Sequence, residues 1–110
     1  MDRIKELIKY KGMQVAPAEL EAVLLAHPAI ADAAVVGVPD EAAGEVPKAF
    51  IVPRAALSVE EVMAYVAGHV APYKKIRRVE VVAAIPRSAS GKILRRRLIE
   101  QERERALKFA

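Results

Sequence analysis

The residues with the most chemical potential are lysines set beside glycines. The segment Pro86-Arg87-Ser88-Ala89-Ser90-Gly91-Lys92 places a lysine directly after a residue that turns the backbone at little cost. A lysine projected from such a loop is a movable point charge for an anionic group. The segment superficially matches the phosphate-binding pattern G-x-x-x-x-G-K-S/T, but it fails at both ends. Pro86 stands at the first glycine, and Ile93 replaces the hydroxyl residue that would hold magnesium. Val81, Ile85 and Leu94 are expected to anchor the loop base. Spacing alone favours an ordinary solvated lysine at position 92.

A second cationic set lies near the N-terminus. Lys5, Lys9 and Lys11 fall on one strand face at period two, with Leu7 between them and Arg3 just before. Aligned cations on a short hairpin can bind phosphates, but taken alone the pattern favours a solvated face that keeps an edge strand from aggregating. His27 and His69 have no Cys or His partner at ligand spacing, so no metal site is expected. Ser88 and Ser90 have no base beside them in sequence, which leaves a nucleophile reading weak.

The elements that must position these residues follow from local pattern. Ile4 to Val15 reads as two short strands around a turn at Gly12. Pro17 suits the first turn of a helix in which Leu20, Val23, Leu24 and His27 repeat at helical spacing and which Pro28 stops. Ile30 to Val38 reads as a strand, Pro39 to Gly44 as a polar loop, and Val46 to Val52 as a second strand. Pro47 places the start of that strand at an edge or bulge. Ser58 and Glu61 form a capping box, and Leu57 with Val62 a hydrophobic staple, before the stripe Val59, Val62, Met63, Val66, Val70. Val79 to Val82 is a third strand. Ile93 to Leu107 is a helix with Leu94 and Leu98 inward, and with Arg95, Arg96 and Arg97 paired along its surface to Glu100, Glu102 and Glu104. The fold class is α+β: an N-terminal two-stranded hairpin and a roughly three-stranded sheet flanked by helices.

The chain has 110 residues, which fits one domain, and 54% of them are hydrophobic. It has no cysteine, which excludes disulfides and thiolate metal sites. No apolar run approaches the roughly 20 residues that span a bilayer, and Met1-Asp2-Arg3 leads into no signal-peptide core. A net charge of +4 points to an anionic partner. A small basic nucleic-acid-binding domain would suit that charge, but aromatic residues make up only 5% of the chain and no such motif is present. A protein-interaction module without chemistry is the other alternative.

Taken together, the segments DRIKELIKYKGMQVAPAELE (residues 2–21), GVPDEAAGEVPKAFIV (37–52) and PRSASGKILRR (86–96) resemble the adenylate-forming superfamily. That superfamily includes acyl- and aryl-CoA ligases, firefly luciferase and peptide-synthetase adenylation domains. The resemblance covers nearly the whole chain and is limited to the C-terminal, or lid, domain of such enzymes. The wording LIKYKG-x-QVAPAELE is similar to the branch containing 4-coumarate–CoA ligases and luciferases. The large N-terminal domain that carries the ATP and acid sites is missing, so the chain is read as a truncated piece with an added start codon.

The resemblance implies the following expectations. Lys92 is the adenylation lysine, touching the substrate carboxylate and the α-phosphate of ATP, whose magnesium covers part of the charge. The lid then turns about a hinge at Asp2 and brings in the hairpin. Lys9 and Gln14 then face the adenylate, Arg3 and Lys5 lie near its ribose and phosphate, and Lys11 and Gly12 line the pantetheine tunnel of coenzyme A. Lys74, Lys75, Arg77 and Arg78 either meet the phosphates of coenzyme A or form a solvated surface. The partners are the enzyme's own N-terminal domain, a small carboxylic acid, ATP and coenzyme A. The location is cytoplasmic, and this domain alone is inactive. The Pro-x-x-x-x-Gly-Lys pattern ending at Lys92 also resembles the recognition site of protein lysine acetyltransferases, which would remove the charge of that lysine.

Overall fold

A computed structural model describes residues 7–109, with side chains through Glu104. Asp2, Arg3 and Lys5 lie outside the described residues. The chain runs β1 (Ile8–Tyr10), β2 (Met13–Val15), α1 (Pro17–Leu25), β3 (Ile30–Asp40), β4 (Gly44–Pro53), α2 (Val59–Ala67), a 3₁₀ turn (Pro72–Lys74), β5 (Arg78–Val81) and α3 (Arg95–Phe109). The strand order is β2-β1-β4-β3, and β5 also pairs with β4, so the N-terminal hairpin continues the main sheet. β3 and β4 are antiparallel from Ile30↔Pro53 to Asp40↔Gly44, whereas β5 runs parallel to β4.

β3 and β4 are buried on both faces, which explains their nearly unbroken Ala/Val/Ile runs. Ala33, Val35, Ala49 and Ile51 point to one face, where Leu20 and Leu24 of α1 and Val62 and Val66 of α2 cover them. Ala34, Val36, Val38, Val46 and Phe50 point to the other, where Leu98 of α3 and Ile85 pack. The small side chains of β3 let two helical layers approach a single strand pair.

α2 starts as its sequence predicts. Ser58 Oγ accepts the Glu61 N–H at 3.1 Å, and the Glu61 carboxylate accepts the Ser58 N–H at 2.8 Å. Such a cap contributes about 1 kcal/mol. α1 has Pro17 in its first turn and ends before Pro28. The polar loop after β3 is shorter than expected, because β3 extends through Asp40 and β4 begins at Gly44.

Three expectations need correction. Pro47 is not at an edge: it is buried in the central strand β4, opposite Gly37. Its carbonyl accepts the Arg77 N–H at 3.0 Å, so its nitrogen faces the same side, in the gap between the pairings of β1 and β5 with β4. The missing donor is tolerated there because no ladder bond is required of it. Val81 is 55% exposed and anchors nothing, while Ile85 is buried. Arg95 and Glu102 leave the surface network of α3 and pair with Glu21 and Lys48. Lys48 is 7% exposed, beneath α3, with its Nζ 2.9 Å from Glu80 and 2.6 Å from Glu102. No helix of the described residues is long and apolar enough to cross a membrane.

Candidate functional site

The hairpin closes through two consecutive residues of positive φ, Lys11 at 51° and Gly12 at 83°. A two-residue turn of this hand matches the natural strand twist. Its register sets Ile8 against Val15, Lys9 against Gln14 and Tyr10 against Met13. Ile8 and Val15 are buried in the core, so alternation turns Lys9 and Gln14 outward together. The two residues expected to face an adenylate are therefore neighbours on one exposed surface.

Lys11 departs from the expected strand face, because the turn rotates it away. Its N–H donates to Ala43 O at 2.8 Å, and its Nζ lies 5.5 Å from the Tyr10 ring centre. Gly12 is exposed, and a Cβ there would meet nothing within 4 Å. One side chain from β4 steadies the hairpin: Glu45 Oε1 accepts the Lys9 N–H at 2.9 Å.

The second site is the loop from Pro86 to Lys92. An isolated antiparallel bridge joins Arg87 to Ile93, and the Ser88 N–H donates to Lys92 O at 2.9 Å. The Gly91 N–H donates to Ser88 O at 2.9 Å and the Lys92 N–H to Ser88 Oγ at 3.2 Å, with Gly91 at φ 90°. The amide groups of Ser88, Gly91 and Lys92 are thus engaged within the loop itself. Ser88 and Ser90 share a hydrogen bond at 2.9 Å; Ser88 shapes the loop, a role its sequence context did not announce. Lys92 is exposed and follows Gly91 at the closing end of this loop.

Charged side chains tie the loop to β3. Arg87 meets both carboxylate oxygens of Asp32, Nη2 to Oδ1 at 2.6 Å and Nε to Oδ2 at 3.2 Å, and its Nη1 donates to Gly91 O at 2.6 Å. The hydrogen bond to Asp32 raises the Arg87 guanidinium above its ordinary value, so its charge is permanent. Just beyond the loop, Arg95 opens α3 and bonds Glu21 and the Val35 carbonyl, while Glu21 Oε2 accepts the Val35 N–H at 2.8 Å. The pair thus occupies the outer hydrogen-bonding edge of β3 as a further strand would.

Lys74, Arg77 and Arg78 are engaged within the fold. Lys74 donates to both oxygens of Glu19 at 3.0 Å, which raises its pKa. Arg77 stacks on Tyr10, with its Cζ 4.7 Å from the ring centre, and Arg78 lies 3.7 Å from Asp40. A cleft of about 510 Å³ between β3 and α3 carries Arg78 and Arg103 against Glu45 and Glu102, a balance of charge that does not select an anion. His27 Nδ1 accepts the Ala29 N–H at 3.0 Å and its ring meets Tyr65 edge-on. Asp32, Glu21 and Glu45 were missed from sequence; Glu21 carried a signal, since it sits beside Leu20 on the buried side of α1.

Comparisons with known proteins agree with this layout. Residues 19–92 match the family described as the AMP-binding enzyme C-terminal domain. The chain is 64% identical over 103 residues to 4-coumarate–CoA ligase-like 5 of Oryza sativa subsp. japonica, covering 92% of this chain and 19% of that protein. Among solved structures, a fatty acyl CoA synthetase of Mycobacterium tuberculosis superposes with a TM-score of 0.85 at 39% identity, over 91% of this chain and 20% of that one. The o-succinylbenzoate CoA synthetase of Bacillus subtilis, in complex with its acyl-adenylate intermediate, gives 0.83 at 41% identity, over 88% of this chain and 20% of that one. The chain thus spans about a fifth of the length of the proteins it matches. With the family match running from α1 to Lys92 and these relatives at its side, this chain belongs to the AMP-binding enzyme C-terminal domain family.

Proposed function

We propose that this chain is the mobile lid of an ATP-dependent, AMP-forming carboxylate–CoA ligase, with Lys92 serving adenylation and the Lys9/Gln14 face serving thioester formation. The observation that carries this reading is the placement of the two turns. β1 meets β4 at Tyr10↔Gly44, whereas Asp32, which holds the Lys92 loop, lies opposite Val52. Eight residues of extended strand separate these points, roughly 26 Å at about 3.3 Å per residue. A reacting carboxyl and α-phosphate are far smaller than that. Turns anchored that far apart along β4 suit a domain that rotates to offer each in turn.

In adenylation, the carboxylate attacks the α-phosphorus and pyrophosphate leaves. The Lys92 ammonium stabilises charge on the phosphoryl oxygens and orients the carboxylate. Magnesium would arrive with ATP; among the described residues no three His, Asp or Glu side chains converge to hold it. After rotation about Asp2, the coenzyme A thiol attacks the acyl-adenylate carbonyl and AMP leaves. Lys9 and Gln14 contact the adenylate, Arg3 and Lys5 lie near its ribose and phosphate, and Gly12 with Lys11 leaves room for pantetheine. Lys92 acetylation by a protein lysine acetyltransferase would remove the charge and stop adenylation while sparing the second step; mass spectrometry after incubation with such an enzyme and acetyl-CoA reads it directly.

The decisive experiment is Lys92→Ala in a full-length ligase carrying this domain. ATP–pyrophosphate exchange should fall by about 10²–10³, the usual cost of one preorganised donor, while thioester formation from preformed acyl-adenylate persists. Normal exchange in this variant overturns the reading.

A further inference from the structure

We infer that Arg87 is a positioning residue for Lys92, with Asp32 as its anchor on the sheet. The inference rests on the reading of Lys92 as the adenylation lysine. Lys92 closes the loop through its backbone, its N–H donating to Ser88 Oγ at 3.2 Å and its carbonyl accepting the Ser88 N–H at 2.9 Å. It follows a glycine at φ 90° where a Cβ would meet nothing within 4 Å, so packing at that hinge does not fix the direction of the next residue. Lys92 itself is exposed. A lysine that must meet a transferring phosphoryl group within a fraction of an ångström needs a tie that aims its loop from a fixed part of the fold.

Arg87 supplies it. Its planar guanidinium binds in two directions at once: Nε and Nη2 to the two oxygens of Asp32, and Nη1 to the carbonyl of Gly91 at 2.6 Å. That carbonyl belongs to the peptide group that enters Lys92. Because the guanidinium is rigid, fixing it on Asp32 fixes the plane of that peptide. Asp32 is itself held, since it lies in β3 opposite Val52 and its Oδ1 also accepts the Ala33 N–H at 2.9 Å. A continuous set of directed bonds therefore runs from the central sheet through Asp32 and Arg87 to the backbone of Lys92. Neither Asp32 nor Arg87 belongs to the core, as their side chains are 29% and 34% exposed. Their geometry serves the loop more than the stability of the domain.

The test uses a full-length ligase carrying this domain, in a double-mutant cycle of Arg87→Ala with Lys92→Ala. Arg87→Ala should lower ATP–pyrophosphate exchange about tenfold, through kcat more than through KM for ATP, and leave thioester formation from preformed acyl-adenylate unchanged. In the Lys92→Ala background it should cause no further loss, because there is no ammonium left to aim. Asp32→Asn, which keeps the side-chain shape, should give a smaller loss of the same kind, and it carries the test if Arg87→Ala fails to fold. Equal losses in both half-reactions, or a tenfold further loss in the Lys92→Ala background, overturn the positioning role. If Lys92→Ala lowers exchange and neither Arg87→Ala nor Asp32→Asn does, the positioning role falls and the reading of Lys92 stands. If Lys92→Ala itself changes nothing, both fall together.

Discussion

The hairpin and the Lys92 loop are alike in plan and unlike in how they are held. Each is a tight turn that carries an exposed lysine, and each depends on a glycine of positive φ, Gly12 or Gly91. The hairpin is held by a backbone ladder and by burial of Ile8 and Val15, with one carboxylate, Glu45, on its Lys9 amide. The loop has a single isolated bridge with a few backbone hydrogen bonds, and it adds side-chain ties: Ser88 within it, Arg87 to Asp32, and Arg95 to Glu21 at its exit. Burial makes a turn stiff but leaves it little choice of direction. Charged side chains hold a turn in one direction and can be removed singly. The difference predicts that the two turns fail separately, and by different kinds of substitution.

The largest effect that separates them is on the chemistry. Lys9→Ala should lower thioester formation from acyl-adenylate by about 10² and leave ATP–pyrophosphate exchange within a few-fold, the mirror of Lys92→Ala. Parallel losses in both assays for either lysine would break the comparison, because one site would then use both turns.

Next in size is the buried tie at the exit of the loop. Glu21→Ala removes one carboxylate partner of Arg95 and leaves the Val35 N–H without its acceptor. A loss of about 2–3 kcal/mol is expected, or on the order of 10 °C in Tm for a domain of this size. Glu45→Ala, its counterpart beneath the hairpin, removes an acceptor from an amide within reach of water and should cost well under 1 kcal/mol. Thermal unfolding of the two variants side by side checks the ordering. Gly91→Ala and Gly12→Ala should each cost about 1 kcal/mol through the positive φ, the first reducing exchange and the second thioester formation.

Much of this arrangement was legible in the sequence, for reasons that can be given residue by residue. Local signals were read correctly where the cause is local: the Ser58–Glu61 cap, Pro17 in the first turn of α1, the turn at Gly12, and the Gly91-Lys92 loop. Pro47 was misplaced because its tolerance depends on a gap between β1 and β5 that only the assembled sheet creates. Lys11 left its predicted face because a period-two count does not register where the strand stops and the turn begins. The ties Arg87–Asp32 and Arg95–Glu21 join residues 55 and 74 positions apart, so no window along the chain displays them. Nothing local marks Lys48 for burial, because its partners Glu80 and Glu102 lie 32 and 54 positions away.

The smallest effect probes whether charge matters to the hairpin side at all. Lys74 ends the 3₁₀ turn and donates to Glu19 of α1 at 3.0 Å. The hydrogen bond it donates to Glu19 is the main cause that raises its pKa above the ordinary 10.5. A raised folded-state pKa means that the folded chain holds this proton more tightly than the unfolded chain. The stabilisation is therefore fully present below the ordinary value and is lost as pH rises through the folded value. Lys74→Met should accordingly unfold at a slightly lower midpoint than the unaltered domain at pH 8, and the difference should close once the pH passes well above 10.5. Other lysines and the tyrosines titrate in the same range, but they do so in both proteins and cancel in the comparison. A difference that stays constant to high pH would assign the effect to packing of the Lys74 stem, and the hairpin side would then owe nothing measurable to this ion pair.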